Sequence, residues 1–257
     1  MESSKKFEEM VSIVMPAYCA SALISESIES VINQSYTNWE LIVVDDCSKD
    51  NTVDVVKKHK KYDKRIRLIE VKTNAGPANA RNRALEIAEG RYIAFLDSDD
   101  IWLHNKLEVT LKKLSDSEAD LAYTAYRRIS CDGSETGHYI SVPKSMTYKR
   151  LLSNSAIITS SVVYDTKRLG KYKMHKVYYD DFACWLEMLK DGAKSIGIDQ
   201  DLLRYRVTGK KSVSGNKIKS ALKVWEQLRT HEKLSYIDSL KSFLGYSVRG
   251  FIKHIRL

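Results

Sequence analysis

Between residues 11 and 97 the chain alternates short, unbroken apolar runs with longer stretches in which apolar residues return every three or four positions. Unbroken runs of this length suit strands buried on both faces, and the wider spacing suits amphipathic helices. "VSIVM" (11–15) reads as a strand ended by Pro16, and "LISESIESVINQS" (23–35) as the helix after it. The cycle repeats as "WELIVVDD" (strand), "NTVDVVKKHKKY" (helix), "IRLIEV" (strand), "PANARNRALEIAE" (helix) and "RYIAFLD" (strand). Such alternation predicts an α/β fold, a single Rossmann-like, mostly parallel sheet flanked by helices. In these sheets the ligand crevice lies at the carboxyl ends of the strands. Four groups occupy such ends here: Pro16, Ala17 and Tyr18; Asp45 and Asp46; Asn74 to Gly76; and Asp97, Ser98, Asp99 and Asp100.

After Trp102 the pattern loosens. "LEVTLKKLSD" has helical spacing, while "ADLAYTAY" and "IITSSVVYD" read as strands. No Pro/Gly/Ser-rich linker separates the halves, so residues 103–215 are expected to extend the sheet of residues 11–102 within one body, 1–215. Residues 216–257 form a helical extension with a different character.

Composition narrows the classes. A chain of 257 residues with 43% hydrophobic residues is long enough for a substantial core. Cys19, Cys47, Cys131 and Cys184 show no CxxC pairing, which argues against zinc and predicts buried thiols in a reducing compartment. "MESSKKFEEM" lacks a signal-peptide core, and no run reaches about 18 consecutive apolar residues. A cytoplasmic location is therefore expected. The net charge of +9 is concentrated late: from Thr208 onward there are eleven Lys/Arg against three Asp/Glu, a net of +8. A nucleic-acid enzyme would carry its positive field around the body, so this asymmetry predicts no nucleic-acid partner and a tail that meets an anionic surface.

The aspartates carry the chemistry. If residues 97–99 continue an extended strand, Asp97 and Asp99 project together and Ser98 points away. Converging carboxylates suit a hard divalent cation such as Mg²⁺ or Mn²⁺, completed by substrate phosphates. Asp100 also suits the cap of the next helix. Asp46, ending a buried strand, can accept from a nucleobase or ribose hydroxyls. In "NAGPANARN" Gly76 frees the turn, Pro77 suits a first helical position, and the helix N-terminus with Arg81 favours an anion.

"VSIVMPAY", "VINQSYTNWELIVVDDCSKDNT", "NAGPANARNRALEIAEGRYIAFLDSDD" and "YYDDFACWLEML" resemble, in order, the motifs of the family 2 glycosyltransferases, inverting enzymes of GT-A fold. The resemblance spans roughly residues 11–207. It implies a GT-A fold with a donor part (about 11–102) and an acceptor part (about 103–215), and a nucleotide-sugar donor, UDP-sugar favoured. It places Pro16, Tyr18 and Asp46 at the base, Arg81 near the diphosphate, Asp97 at the ribose and Asp99 on the metal. Bacterial relatives of this type imply surface-polysaccharide synthesis on a saccharide or undecaprenyl-diphosphate-linked acceptor.

Inverting transfer is one displacement and needs one base for the acceptor hydroxyl. In "YYDDFACWLEMLKDG" the residues Phe182, Trp185, Leu186 and Leu189 form a buried helical stripe bordered by Asp181, while Asp180 shares a face with Cys184 and Glu187. Asp181 matches the second acid of the family's motif and is the expected base; both aspartates also suit helix capping. Trp39 and Trp185 read as core. "RYRVTGKKSVSGN" (204–216) resembles the family's donor-covering loop, with Val207 where many relatives carry a metal-assisting histidine. Arg206, Lys210 or Lys211 is then expected at the diphosphate.

In the tail Leu234, Ile237, Leu240, Leu244, Val248, Phe251 and Ile255 recur at spacings of three and four among Lys241, Arg249, Lys253 and Arg256. Such a helix suits either an anionic bilayer, placing the protein peripherally on the inner face of the membrane, or packing against the body. Two rivals to the transferase reading are weak. A haloacid dehalogenase-type phosphohydrolase also places paired aspartates after an apolar strand, but after its first. A non-catalytic nucleotide-sugar-binding homologue would have lost its base, and Asp99 and Asp181 are both present.

Overall fold

The computed structural model describes residues 9–154, 156–208 and 217–255. Its first half follows the expected alternation: β1 (Val11–Ala17), α1 (Ile24–Ile32), β2 (Trp39–Asp45), α2 (Thr52–Tyr62), β3 (Ile66–Glu70), α3 (Pro77–Ile87) and β4 (Tyr92–Phe95). The remainder is β5 (Ile101–Trp102), α4 (Lys106–Ser115), β6 (Leu121–Ile129), β7 (Thr136–Ile140), α5 (Tyr148–Leu151), a 3₁₀ turn (Thr159–Ser161), β8 (Val163–Asp165), α6 (Thr166–Leu169), α7 (Asp180–Lys190), β9 (Ser195–Arg206), α8 (Lys217–Glu226), a π turn (Gln227–His231) and α9 (Tyr236–Ile255).

One sheet carries both halves, in the order β3-β2-β1-β4-β8-β6-β9-β5, with β7 paired to β6. β1 to β4 are mutually parallel; β8 is antiparallel to β4 and β6, β6 and β9 are parallel, and β5 runs antiparallel to β9. Successive residues of β2 enter opposite cores: Leu41 and Val43 join Ile13 and Met15 on one face, Ile42 and Val44 join Val14, Phe95 and Trp185 on the other. This two-sided burial is why the central strands are continuous apolar runs. Trp39 and Trp185 are core residues, as expected.

Three local expectations are corrected. Pro16 does not end β1 but pairs opposite Val44 within it. The Val14 carbonyl accepts from Leu96 just beyond β4, and Pro16, two residues on, faces the same side past β4's end, so its missing N–H leaves no ladder bond unmade. "IITSSVVYD" is a strand only over its last three residues, because Thr159–Ser161 coils into a 3₁₀ turn. Of the cysteines only Cys184 is buried; Cys19 and Cys131 are exposed and Cys47 is half-buried.

Candidate functional site

The site assembles where β1, β2 and β4 end. Beyond β1, Tyr18 is exposed, and Cys19 and Cys47 both take left-handed backbone conformations, φ 49° and 64°. Positive φ is uncommon outside glycine. Both turns are held by side chains: Ser48 Oγ accepts from Cys19 N at 2.9 Å, and Ser48 N donates to the buried Asp45 at 3.0 Å.

The loop before α3 is fixed by Asp46. Its buried carboxylate accepts from Ala75 N at 3.0 Å and Gly76 N at 2.7 Å. Gly76, at φ 87°, precedes Pro77 at the first helical position, so the predicted turn chemistry holds. Asp46 thus braces the loop of Asn74.

Asp97 to Asp100 form a tight turn, closed by Asp100 N donating to Asp97 O at 3.1 Å. This corrects the extended-strand argument: Ser98 and Asp99 occupy the centre of a turn, so their directions do not follow strand alternation. Each acid has separate surroundings. Asp97 accepts from Arg81 Nη2 at 2.6 Å, and Asp100, fully buried, accepts from Ser160 Oγ at 2.5 Å and Arg206 N at 2.8 Å. Burial, then Asp97, push the Asp99 carboxyl up to about 6, and burial, then Asp99 and Asp97, raise Asp100 well above the usual range.

Arg206 braces this turn from behind. The pairing of β5 with β9 sets Ile101 opposite Arg204 and carries Arg206 to the turn. Its Nε donates to Asp99 O at 2.8 Å, Nη1 to Cys131 O at 2.8 Å, and Nη2 to Glu26 at 2.6 Å. The guanidinium is buried and each of its three nitrogens donates one hydrogen bond, so it braces the turn from the protein side. Lys210 and Lys211 lie outside the described residues. The Val207 side chain is exposed and offers no ligand atom, and among the described residues no group of three His, Cys, Asp or Glu side chains is placed to hold a metal.

Arg81 is the centre of the site. It is buried, with Nη2 on Asp97 and Nη1 on Asp180, each at 2.6 Å, so one cation ties the aspartate turn to the first residue of α7. Burial pulls this guanidinium's pKa down, but Asp97, Asp180 and Asp181 outweigh it and raise the value. Each terminal nitrogen gives one of its two N–H groups to an acid, so Arg81 bridges Asp97 and Asp180. Asp181 accepts from Thr159 Oγ1 at 2.6 Å and Phe182 N at 2.7 Å. Burial, then Asp180, raise its carboxyl.

Thr159 and Ser160 escaped the sequence reading. Ser160 Oγ donates to Asp100 and accepts from Asp97 N at 3.0 Å, while the adjacent Thr159 holds Asp181. Their signal was the run "TSS" interrupting an apolar segment. Asn82 was also missed: its amide exchanges hydrogen bonds with Met174 N and O at 2.7 and 2.9 Å, fastening α3 to the segment that leads into α7.

The sequence model of "Glycosyl transferase family 2" matches residues 12–178. The chain belongs to this family. It is 36% identical over 97% of its length to the putative teichuronic acid biosynthesis glycosyltransferase TuaG of Bacillus subtilis, covering 99% of that protein. It is 38% identical over 95% of its length to WfgD of Escherichia coli, named a UDP-Glc:alpha-D-GlcNAc-diphosphoundecaprenol beta-1,3-glucosyltransferase, covering 95% of that protein. The fold is GT-A. Staphylococcus aureus TarS 1-349 in complex with UDP-GlcNAc superposes with TM-score 0.71 at 18% identity, over 95% of this chain and 72% of that one. The mannosyltransferase PcManGT of Pyrobaculum calidifontis, in complex with GDP-Man and Mn²⁺, gives 0.70 at 18%, over 93% and 69%. This family 2 chain is therefore a glycosyltransferase, and its Asp180 and Asp181 lie just past the family-model match.

Proposed function

We propose that this glycosyltransferase inverts the anomeric centre of a UDP-sugar in transferring it to a hydroxyl of an undecaprenyl-diphosphate-linked saccharide, in bacterial surface-polysaccharide synthesis at the inner face of the membrane. The observation that carries the reading is the Arg81 bridge, because it brings the Asp97–Asp100 turn and the Asp180–Asp181 pair into one site from distant parts of the chain. The reaction named for WfgD supports the acceptor class, and the teichuronic acid biosynthesis named for TuaG supports the process. Within the chain, residues up to about 215 carry the chemistry and 216–257 are accessory.

Asp181 takes the proton from the acceptor hydroxyl as its oxygen forms a bond to the anomeric carbon. The bond from that carbon to the diphosphate oxygen breaks, and the nucleoside diphosphate leaves with the electron pair. A carboxyl raised by burial beside Asp180 is a better proton acceptor than an ordinary aspartate at neutral pH. The donor lies along Pro16, Ala17, Tyr18, Asn74, Gly76, Asp97 and Ser98, on loops that Asp46, Arg81 and Arg206 hold in place. The donor set of the turn fits a hard divalent ion. Asp99 has only oxygen to offer, its proton affinity is raised by burial and by Asp97, and with one carboxylate an ion takes its remaining ligands from phosphates. Mn²⁺ or Mg²⁺ on Asp99 would offset charge on the departing diphosphate. Asp181→Asn tests the assignment: donor affinity should stay near the parent's while turnover falls by about 10²- to 10⁴-fold. Collapse of donor binding would remove Asp181 from the role of base.

A further inference from the structure

The last helix carries two apolar faces. Ser239, Phe243 and Tyr246 turn toward the body, where Phe243 and Tyr246 pack on the core that holds Trp185, and the Tyr246 ring lies 6.2 Å from that of Phe182. Gly245 permits a close approach: a Cβ there would come within 2.9 Å of Ser153 Cβ, and Arg249 Nη1 donates to Ser153 O at 2.8 Å. At about 100° per residue, Ile237 lies opposite Ser239, and Leu244 and Val248 lie opposite Tyr246, with Leu240 beside them. These side chains are 64% (Ile237), 42% (Leu240), 56% (Leu244) and 58% (Val248) exposed.

The periodicity in the sequence left packing on the body and contact with lipid as alternatives, and the structure divides them between two faces. The body is already satisfied by Phe243 and Tyr246. A contiguous stripe of large aliphatic side chains in water marks a contact surface, and the same spacing continues in sequence at Phe251 and Ile255. Lys241 is exposed beside the stripe and Lys233 is exposed before the helix, in a region of net charge +8. A second copy would bring two such positive tails together, whereas an anionic bilayer complements them.

We propose that the stripe Ile237, Leu240, Leu244 and Val248 of α9 lies in the interfacial layer of an anionic lipid bilayer, while the opposite face clamps the start of α7. The surface itself is argued from exposure and charge. Its consequence rests on the transferase reading: Phe182 follows Asp181, so a lipid-borne acceptor reaches the base from the side where α9 meets the bilayer.

The test is co-sedimentation of the full chain with phosphatidylglycerol vesicles, and with phosphatidylcholine vesicles as control, at low and high salt. The parent should bind the anionic vesicles, less so as salt rises. Leu240→Glu/Leu244→Glu should weaken partition by about tenfold or more with unchanged melting and unchanged UDP release from a UDP-sugar. Should the double variant melt early, Val248→Glu at a single exposed position makes the same comparison. Absence of vesicle binding by the parent, or equal binding by the variants, would overturn the proposal. So would a dimer that the variants convert to monomer without any lipid binding, which assigns the face to a second copy. Vesicle binding without UDP release upholds the surface and counts against the transferase reading alone; UDP release without vesicle binding does the reverse.

Discussion

Replacing Arg81 by Met removes the cation that two acids share. Asp180 is left buried without its partner, Asp97 loses its 2.6 Å contact, and Asp181 loses an attractive charge. Breaking a buried ion pair by deleting one partner typically costs about 3–5 kcal/mol, because a desolvated charge is left uncompensated. The Arg81 and Asp180 side chains are only 7% and 9% exposed, so water relieves little of that cost, whereas Asp97 at 29% is partly relieved. For a chain of this size the loss corresponds to a fall in melting temperature of about 6–20 °C. Thermal and urea melts from about pH 8 to pH 6 should show the variant below the parent throughout. Adding Asp180→Asn to Arg81→Met should recover part of the loss, and that coupling separates the bridge from simple packing. A variant within about 1 kcal/mol of the parent at every pH, with donor affinity alone reduced, would refute the bridge and make Arg81 a donor ligand.

Asp99→Asn should abolish metal-dependent donor binding, because an amide is a poorer ligand for a hard ion than a carboxylate; undiminished, metal-dependent turnover would refute the role. The same residue predicts a pH signature in the metal-free parent. With Asp99 up at about 6 and Asp100 raised further, ionisation penalises the folded state, so stability should rise as pH falls from about 7 toward 5.5. The rise should vanish with saturating Mn²⁺ and shrink in Asp99→Asn, and a flat metal-free curve would refute it. Below that window the acids held low, among them Glu40 and Asp50, reverse the trend. Thr159→Val deletes the hydroxyl that donates to Asp181 at 2.6 Å. A hydrogen bond to a charged group is worth about 1.5–3 kcal/mol, so the acid limb of the rate profile should move up by about one pH unit or more. A limb that stays in place would show that Thr159 does not act on the base.

The parallel half was legible because its signal is local. In β2 every residue from Trp39 to Asp45 is buried, and a strand with both faces covered needs nothing more than an apolar run bounded by turn residues. Gly76 and Pro77 were legible for the same reason, since φ at one position and a missing N–H at the next are properties of those residues themselves. Pro16 was misread because whether its missing N–H matters depends on where β4 ends, a fact written some 80 residues later. Thr159–Ser161 was misread as strand because its hydroxyls look like ordinary β-sheet polar residues until their partners, Asp100 and Asp181, are known to converge on them.

The site divides along the same line. The aspartates were conspicuous because carboxylates after an apolar strand are rare without a use, yet their separate duties depend on contacts that no spacing encodes. Asp100 is a brace because β5 pairs with β9 and delivers the Arg206 backbone N–H to it. Asp97 is restrained because α3 turns Arg81 inward, and Arg81 in turn finds Asp180 only once α7 has folded across the sheet. Thus one buried cation joins the Asp97–Asp100 turn to the start of α7. Since α9 packs on Phe182 beside Asp181, a disturbance at α9 reaches the Asp180–Asp181 pair through that ring contact.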